Sequence, residues 1–163
     1  MSNNPAEDLT QRFHADAGAR AFALLGDKWT LLILRESVYG VRRFGQFARN
    51  LGIPRPTLSA RLSMMVETGL LDRVRYQDDP ERFEYRATQA SRDLFPAAVM
   101  LTHWGDTYLA SPEGPAIVLR HHECGEPIDP ALICRTCGKE INTHNVTAEP
   151  GPAFADTEPD IQT

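Results

Sequence analysis

Apolar residues recur at helical spacing in the first part of the chain. Trp29, Leu32 and Ile33 share one face of a predicted helix. Asp27 stands where a capping residue begins such a helix, and Gly40 stands where the helix should end. The pattern therefore predicts a core helix between these two positions.

A helix-turn-helix is predicted directly after the core helix. Segment 44–51 carries apolar residues at i, i+3, i+4 and i+7, and Gly52 can end it in a left-handed conformation. The next helix ends at Gly69, and Pro54 and Pro56 fit only in its first turn, because proline has no N–H to donate. The junction between the two helices is the three residues 52–54, and a short junction that contains a glycine is typical of a helix-turn-helix. The inward stripe of the second helix comprises Leu58, Leu62 and Met65.

A β-hairpin is predicted next. Segments 70–76 and 83–88 are rich in β-branched, aromatic and arginine residues. Residues 77–82 between them favour a turn. The fold class is therefore mainly α with a small β-hairpin that would form a wing.

A last helix is predicted from Gln89 to Leu109. Thr88 can cap it, and Pro96 near its start can kink it. Its apolar side comprises Leu94, Leu101, Trp104 and Tyr108.

Glycine and proline divide the chain into parts. A winged helix-turn-helix domain is predicted over residues 12–110, followed by a linker over 111–115. A small module is predicted over 116–142. Residues 143–163 are too polar to pack, so a disordered tail is expected there.

The composition agrees with one globular domain and an appendage: 163 residues, 42% hydrophobic and 24% charged. The apolar runs of the first half, such as Leu31 to Leu34, are far too short to cross a membrane. The first residues lack the basic start and apolar run of a secretory signal. We therefore expect a cytoplasmic protein with no membrane partner.

The charge is distributed unevenly along the chain. The net charge of −5 alone argues against nucleic acid as a partner. Residues 42–86 nevertheless carry nine basic and six acidic side chains, and the stretch from Arg42 to Val66 holds five arginines and no carboxylate. This local basic face favours a phosphate-rich partner, and a solvated arginine-rich surface is the alternative.

A hairpin directly after a helix-turn-helix indicates a winged helix, whose second helix enters the major groove. Small and hydroxyl side chains point outward from that helix and permit close approach to base edges. Arg55 can fork onto guanine, whereas Arg61 lies at the flank and suits phosphate better. A surface ion pair is the alternative for each arginine, and simple exposure is the alternative for each serine. The predicted DNA-binding residues are Arg43, Arg55, Thr57, Ser59, Arg61, Ser63, Arg75 and Arg82.

Several separated motifs occur in order across residues 16–110. They are LGDKWTLLILR at 25–35, Gly40, Arg43-Phe44, LSARL at 58–62, Thr68-Gly69-Leu70, Tyr85-Arg86-Ala87-Thr88 and Trp104-Gly105. This set resembles the HxlR family of bacterial transcriptional regulators. The resemblance implies a winged-helix homodimer, joined through helices at the N- and C-terminal ends of the winged domain, on a near-palindromic operator in double-stranded DNA. Two recognition helices about 34 Å apart would meet successive major grooves.

The chain departs from the family in its cysteines. Many members carry a Cys-Pro pair before the core helix and use that thiol as a sensor. Alignment on Gly26 places the pair at Asp16-Ala17, and all three cysteines lie beyond residue 120. The signal is therefore left open, with a small-molecule effector as one candidate. The aromatic residues that could border an effector pocket, although helical spacing favours core positions for them, are Phe22, Trp29, Tyr39 and Trp104.

Two segments of the form ligand-x-x-Cys-Gly follow the linker, at 121–125 and 134–138. A two-residue spacer turns the chain so that both side chains face one ion, and the glycine tolerates that turn. The pattern predicts a zinc-knuckle module, resembling a zinc ribbon, in which Zn²⁺ is bound by His121, Cys124, Cys134 and Cys137. His122 competes for the fourth position, followed by His144.

A Cys134–Cys137 disulfide or three unliganded thiols are the alternatives to zinc. Residues 116–142 contain few large apolar groups, so this module is marginal on its own, and a structural zinc contributes on the order of 10 kcal/mol. Four protein ligands leave no position for a catalytic water, so the ion is expected to be structural. A metalloenzyme using Glu123 or Glu126 is disfavoured, and no enzymatic activity is expected.

These observations predict a sequence-specific DNA-binding transcriptional regulator that acts as a homodimer. The alternative is a zinc-dependent interaction module, in which the acidic C-terminal part recruits a protein partner and DNA contact is secondary.

Overall fold

The computed structural model describes residues 17–147. Residue contacts divide the chain into two units that separate between Thr102 and His103. No helix of the described residues is long and apolar enough to cross a membrane. The helices and strands are α1 (Ala17–Leu25), α2 (Lys28–Val38), α3 (Phe44–Leu51), α4 (Arg55–Glu67), β1 (Leu71–Gln77), β2 (Arg82–Ala87), α5 (Gln89–Asp93) and α6 (Phe95–Tyr108).

The predicted core helix is confirmed as α2, and Asp27 caps it. One carboxylate oxygen of Asp27 accepts hydrogen bonds from the backbone N–H groups of Trp29 (2.9 Å) and Thr30 (3.3 Å). These bonds satisfy two of the N–H groups that a helix leaves without partners at its start. The start of α2 is therefore fixed by a side chain that the sequence identifies.

The helix-turn-helix is confirmed as α3 and α4. Gly52 ends α3 with a φ of +60°, and its N–H donates to the carbonyl of Ala48 at 3.1 Å. α4 begins at Arg55, one residue after Pro54, whose carbonyl accepts the N–H of Leu58 at 2.9 Å. Both prolines of the junction thus lie where no helical N–H is needed.

The predicted hairpin is confirmed as an antiparallel pair of β1 and β2, with Leu71 opposite Ala87 at its base. The chain just before α3 also pairs with β2. Arg43 forms a bridge with Glu84, and the N–H of Tyr85 donates to the carbonyl of Arg42 at 2.7 Å. The backbone therefore anchors the hairpin to the entrance of the helix-turn-helix.

The single last helix predicted over 89–109 is wrong, because the chain forms α5 and α6 with a break at Leu94. Thr88 does cap α5, accepting the N–H of Ser91 at 3.4 Å. Pro96 has no N–H, and in a continuous helix its ring would clash with the carbonyl of Arg92. The chain tightens there instead, and the N–H of Leu94 donates to the carbonyl of Ser91 at 3.2 Å.

One apolar cluster forms the core of the first unit. It draws residues from α2, α3, α4 and the start of β1, and it includes the whole predicted stripe of α4. The hydroxyl of Ser91 is also buried and donates to the carbonyl of Leu70, which joins α5 to the hairpin base. The buried apolar residues are Ile33, Leu34, Phe47, Ile53, Leu58, Leu62, Met65, Leu70 and Leu71.

Two helices of the described chain contain no buried residue, α1 and α6. Phe22 on α1 is 78% exposed. On α6 the predicted apolar side is present at i, i+3 and i+7, but Leu101, Trp104 and Tyr108 are 57%, 53% and 69% exposed. These side chains are therefore not core residues within a single chain.

The second unit has hydrogen-bonded structure slightly beyond the module end predicted at residue 142. The side-chain amide of Asn145 donates to the carbonyl of Glu140 at 2.9 Å. Residues 12–16 of the predicted winged domain and residues 148–163 of the predicted tail lie outside the described residues.

Shortening a side chain of the buried α4 stripe should destabilise the first unit, which contains the winged helix-turn-helix. Leu62 is fully buried, so Leu62→Ala should lower the free energy of unfolding by about 2–5 kcal/mol. Ser63→Ala, at the exposed neighbouring position, should change it by less than about 0.5 kcal/mol. Urea denaturation followed by circular dichroism checks both, and equal midpoints for the two variants would contradict this account of the core.

Candidate nucleic-acid interface and metal ligands

The face of α4 opposite the core is open to solvent. Leu58, Leu62 and Met65 are 0% exposed, and the residues between them point away from the core. Thr57 and Arg61 are half-buried at the flanks, and the exposed residues of this face are Arg55, Pro56, Ser59, Ala60 and Ser63. The structure thus brings the predicted α4 residues to one helix surface.

Arg55 lies at the first turn of α4 and stacks on an aromatic ring. Its guanidinium carbon is 5.1 Å from the ring centroid of Phe44, the first residue of α3. Such a contact restrains the side chain without consuming its N–H donors. Arg55 therefore stays at the N-terminal end of α4 with its hydrogen-bonding edge available.

Arg61 is held by the residue that caps α2. Its guanidinium donates to the second carboxylate oxygen of Asp27 at 3.0 Å, while the first oxygen caps the helix. Asp27 therefore links the start of α2 to the middle of α4. A surface ion pair was the alternative for this arginine, but no local pattern identifies Asp27 as the partner, because the two residues are 34 positions apart along the chain.

Two predicted arginines on the hairpin and one directly before α3 have different surroundings. Arg75 is 3.1 Å from a carboxylate oxygen of Asp78 and 3.5 Å from one of Glu81, so carboxylates partly neutralise it. Arg43 stacks on Tyr76 with 4.8 Å to the ring centroid. Arg82 is exposed at the start of β2.

Arg73 was not among the predicted residues. Its guanidinium carbon lies 3.5 Å from the ring centroid of Phe83, across the hairpin. The alternation of arginine and apolar residues in β1 could have indicated this position, since alternate strand residues share one face. Arg42 and Arg49, which belong to the carboxylate-free stretch, are also exposed.

The predicted metal ligands are brought together as two pairs. The thiol of Cys124 lies 3.6 Å from Nδ1 of His121. Backbone N–H groups of Cys137 and Thr136, together with the Cys137 thiol, lower the pKa of Cys134. The three cysteines form no disulfide. Within residues 17–147, no three His, Cys, Asp or Glu side chains are grouped closely enough to hold a metal ion.

The aromatic residues considered for an effector pocket do not share one environment. Trp29 packs partly against the core, while Phe22 and Tyr39 are exposed. Tyr39 borders an apolar groove with Leu94 and Phe95, but the groove offers a cavity volume of about 10 Å³. This is no more than about one water molecule occupies, so this groove is too small for an organic effector.

The profile of the HxlR-like helix-turn-helix family matches residues 24–113, which contain α2 to α6 and the hairpin. The chain belongs to the HxlR family. It is a transcriptional regulator with a helix-turn-helix DNA-binding domain, and its fold is mainly helical with a two-stranded hairpin.

Relatives of this HxlR protein are found among mycobacteria. It is 65% identical over 147 residues to the uncharacterized HTH-type transcriptional regulator Rv3095 of Mycobacterium tuberculosis, covering 90% of this chain and 93% of the relative. The regulator Mb3122 of Mycobacterium bovis shows the same identity and coverage. These matches extend beyond the residues that the family profile covers.

Solved structures show the same fold. PA1607, a candidate transcription factor, superposes with a TM-score of 0.74 at 29% identity, covering 83% of this HxlR chain and 94% of its own. PA1374 from Pseudomonas aeruginosa, also a candidate transcription factor, gives a TM-score of 0.60 at 30% identity over 83% and 92% of the chains. The redox regulator HypR in its reduced form gives 0.53 at 25% identity over 56% and 92%.

Two variants separate the possible roles of Arg61. Arg61→Ala should weaken binding to operator and random DNA by the same factor, because a phosphate contact carries no sequence information. Its effect on stability should not exceed about 1 kcal/mol, since both partners are about one-third exposed. Fluorescence anisotropy on both DNAs checks this, and an altered operator preference would contradict it.

Asp27→Asn is the matched control. Asparagine caps a helix about as well as aspartate but cannot form the ion pair. This variant should therefore leave DNA affinity unchanged or raise it. A loss equal to that of Arg61→Ala would show that Arg61 acts only by positioning α4.

Proposed function

We propose that this HxlR protein binds a near-palindromic operator as a homodimer and regulates transcription by doing so. One observation carries the proposal: α4 buries one face completely and presents the opposite one, the reading face, which starts with an arginine and carries no carboxylate before Glu67 at the end of the helix. The reading face comprises Arg55, Pro56, Ser59, Ala60 and Ser63. A helix with small outward side chains can approach base edges in the major groove.

Base recognition is assigned to the N-terminal half of α4. Arg55 carries a planar fork of donors that matches the acceptors of guanine. Thr57 and Ser59 can bond to base or phosphate, while Ala60 and Ser63 leave room for the groove wall. The stacking of Arg55 on the ring of Phe44 supports this assignment, because it limits the rotamers lost on binding.

Contact with the phosphates of the DNA backbone is assigned to the hairpin, to Arg43 directly before α3 and to the flank of α4. Arg61 lies at the flank of α4, Arg43 directly before α3, and Arg82 at the start of β2. In the winged-helix arrangement these positions lie next to the helix that enters the major groove. Arg75 should contribute less, since its carboxylate partners must first be displaced. These phosphate contacts supply affinity and register, and base contacts supply specificity.

Dimerisation is supported by the apolar side chains that the single chain leaves uncovered. Phe22 on α1 and Leu101, Trp104 and Tyr108 on α6 are each more than half exposed. Clusters of large, exposed apolar side chains usually mark a protein–protein interface. A second copy of the chain would cover them and would bring a second α4 to the same duplex, as half-sites about one helical turn apart require.

Substitutions at Arg55 test the reading role. Arg55→Ala should reduce the preference for operator over random DNA by about 10- to 100-fold, as expected for the loss of one bidentate base contact worth about 1–3 kcal/mol. Arg55→Lys keeps the charge but not the fork. It should retain affinity for random DNA and still lose operator preference in competition binding assays. If Arg55→Lys kept the full preference for operator over random DNA, the proposed contact between Arg55 and guanine would be refuted.

A charged substitution on α6 tests whether this helix forms the dimer interface. Trp104→Glu should convert a particle of twice 18.2 kDa into one of 18.2 kDa, measured by light scattering after size-exclusion chromatography. His103→Glu adds the same carboxylate on another side of α6 and should leave the dimer intact. The proposal fails if the unmodified protein is a monomer at micromolar concentration or if the two variants behave alike.

A further inference from the structure

The second unit contains two turns that are hydrogen-bonded in the same way. In the first turn, the N–H of His121 donates to the carbonyl of Glu126 at 3.0 Å, and the N–H of Gly125 donates to the carbonyl of His121 at 2.8 Å. The N–H of Ile128 then donates to the carbonyl of Leu119 at 2.8 Å. These three bonds close a tight loop around residues 121–126.

The second turn repeats these bonds at the same spacing. The N–H of Cys134 donates to the carbonyl of Lys139 at 2.9 Å, and the N–H of Gly138 donates to the carbonyl of Cys134 at 2.7 Å. The N–H of Ile141 donates to the carbonyl of Leu132 at 2.7 Å. The bridges Arg120–Pro127 and Ile133–Glu140 occupy equivalent positions as well.

The repeat establishes which side chains are equivalent. His121 corresponds to Cys134, and Cys124 corresponds to Cys137. The glycine after the second ligand of each turn has a left-handed backbone, with a φ of +74° at Gly125 and +71° at Gly138. Residues with a Cβ rarely adopt this conformation. The glycine that the sequence places after each cysteine is therefore needed for the turn.

The turn brings its two ligand positions close together. Nδ1 of His121 and the thiol of Cys124 are 3.6 Å apart, a separation that two ligands of one ion can have. Nitrogen and thiolate ligands in two such pairs match the tetrahedral set that Zn²⁺ takes in structural sites.

Residues 111–147 have no hydrophobic core of their own that could stabilise the two turns. None of residues 111–147 is buried, and apolar side chains such as Ile117, Leu132 and Ile133 are about half exposed. A chain segment this small does not hold two tight turns through a hydrophobic core. Disulfides or a bound metal commonly replace such a core, and the three cysteines form no disulfide.

We propose that the second unit binds one structural Zn²⁺ through His121, Cys124, Cys134 and Cys137. No three of these side chains are grouped in the described structure, so zinc binding brings the two ligand pairs together and joins the two turns. The three thiols bind as thiolates and release their protons on metal binding. With all four positions taken by protein, the ion stabilises the unit and leaves no place for a reacting water.

The repeat also selects the fourth ligand. His121 occupies the position that Cys134 occupies in the other turn, whereas His122 corresponds to Arg135, which does not bind metal cations. His144 lies outside both turns. The assignment therefore favours His121 over the two competing histidines.

Metal analysis of the full-length protein tests the site. The protein, purified under reducing conditions without chelator, should contain one equivalent of zinc per chain by mass spectrometry of the element. After replacement by Co²⁺, it should show the visible bands of a tetrahedral ion and the ultraviolet charge-transfer bands of thiolate ligands. A protein that remains metal-free after incubation with excess zinc, or one with a Cys134–Cys137 disulfide under the same conditions, would overturn the proposal.

Variants assign the ligands. Cys124→Ser, Cys134→Ser, Cys137→Ser and His121→Ala should each lose most of the zinc under competition with a chromogenic chelator. His122→Ala and His144→Ala are the matched controls and should keep it. If His121→Ala keeps full zinc while His122→Ala loses it, the equivalence of the two turns is wrong. The Co²⁺ spectrum of each soluble variant separates a changed ligand set from misfolding, and no assay depends on DNA binding.

Discussion

The surface that this HxlR protein can offer to DNA depends on the burial of one stripe of α4. Leu58, Leu62 and Met65 are completely enclosed by α2, α3 and the base of the hairpin. Because each residue turns a helix by about 100°, a change in that packing would rotate Arg55 and Ser59 away from the reading face. Hydrophobic packing, which has no sequence preference for DNA, thus fixes the orientation of the side chains that we propose to contact the bases.

Polar contacts hold the neighbouring elements in register with this stripe. Asp27 caps α2 with one oxygen and binds Arg61 of α4 with the other. The buried carboxylate of Glu36 on α2 accepts a hydrogen bond from the side chain of Asn50 on α3 at 2.8 Å. Pairs of this kind add little net stability, because the cost of desolvation offsets much of their attraction. They define how α2 and the two helices of the helix-turn-helix meet.

Much of the winged unit could be predicted from the sequence, because its signals are local. Asp27, Gly52 and Pro56 act within one turn of their own positions, and the α4 stripe follows from a period of 3.6. Contacts between distant residues could not be predicted. The pairing of Arg61 with Asp27 and the exposure of Trp104 depend on how helices meet. The two turns of the second unit could be predicted from the spacing of their cysteines and glycines, but the hydrogen bonds that they share are seen only in the folded chain.

Hydroxyl-radical footprinting of an operator tests the central claim most directly. Two copies of α4 on one duplex should protect two windows centred about one helical turn, or about 34 Å, apart on the same DNA face. Ala60→Glu places a carboxylate in the middle of the reading face, where the side chain is exposed, and should remove both windows while leaving thermal unfolding unchanged. Full protection by this variant, or a footprint without a two-fold pattern, would contradict the account.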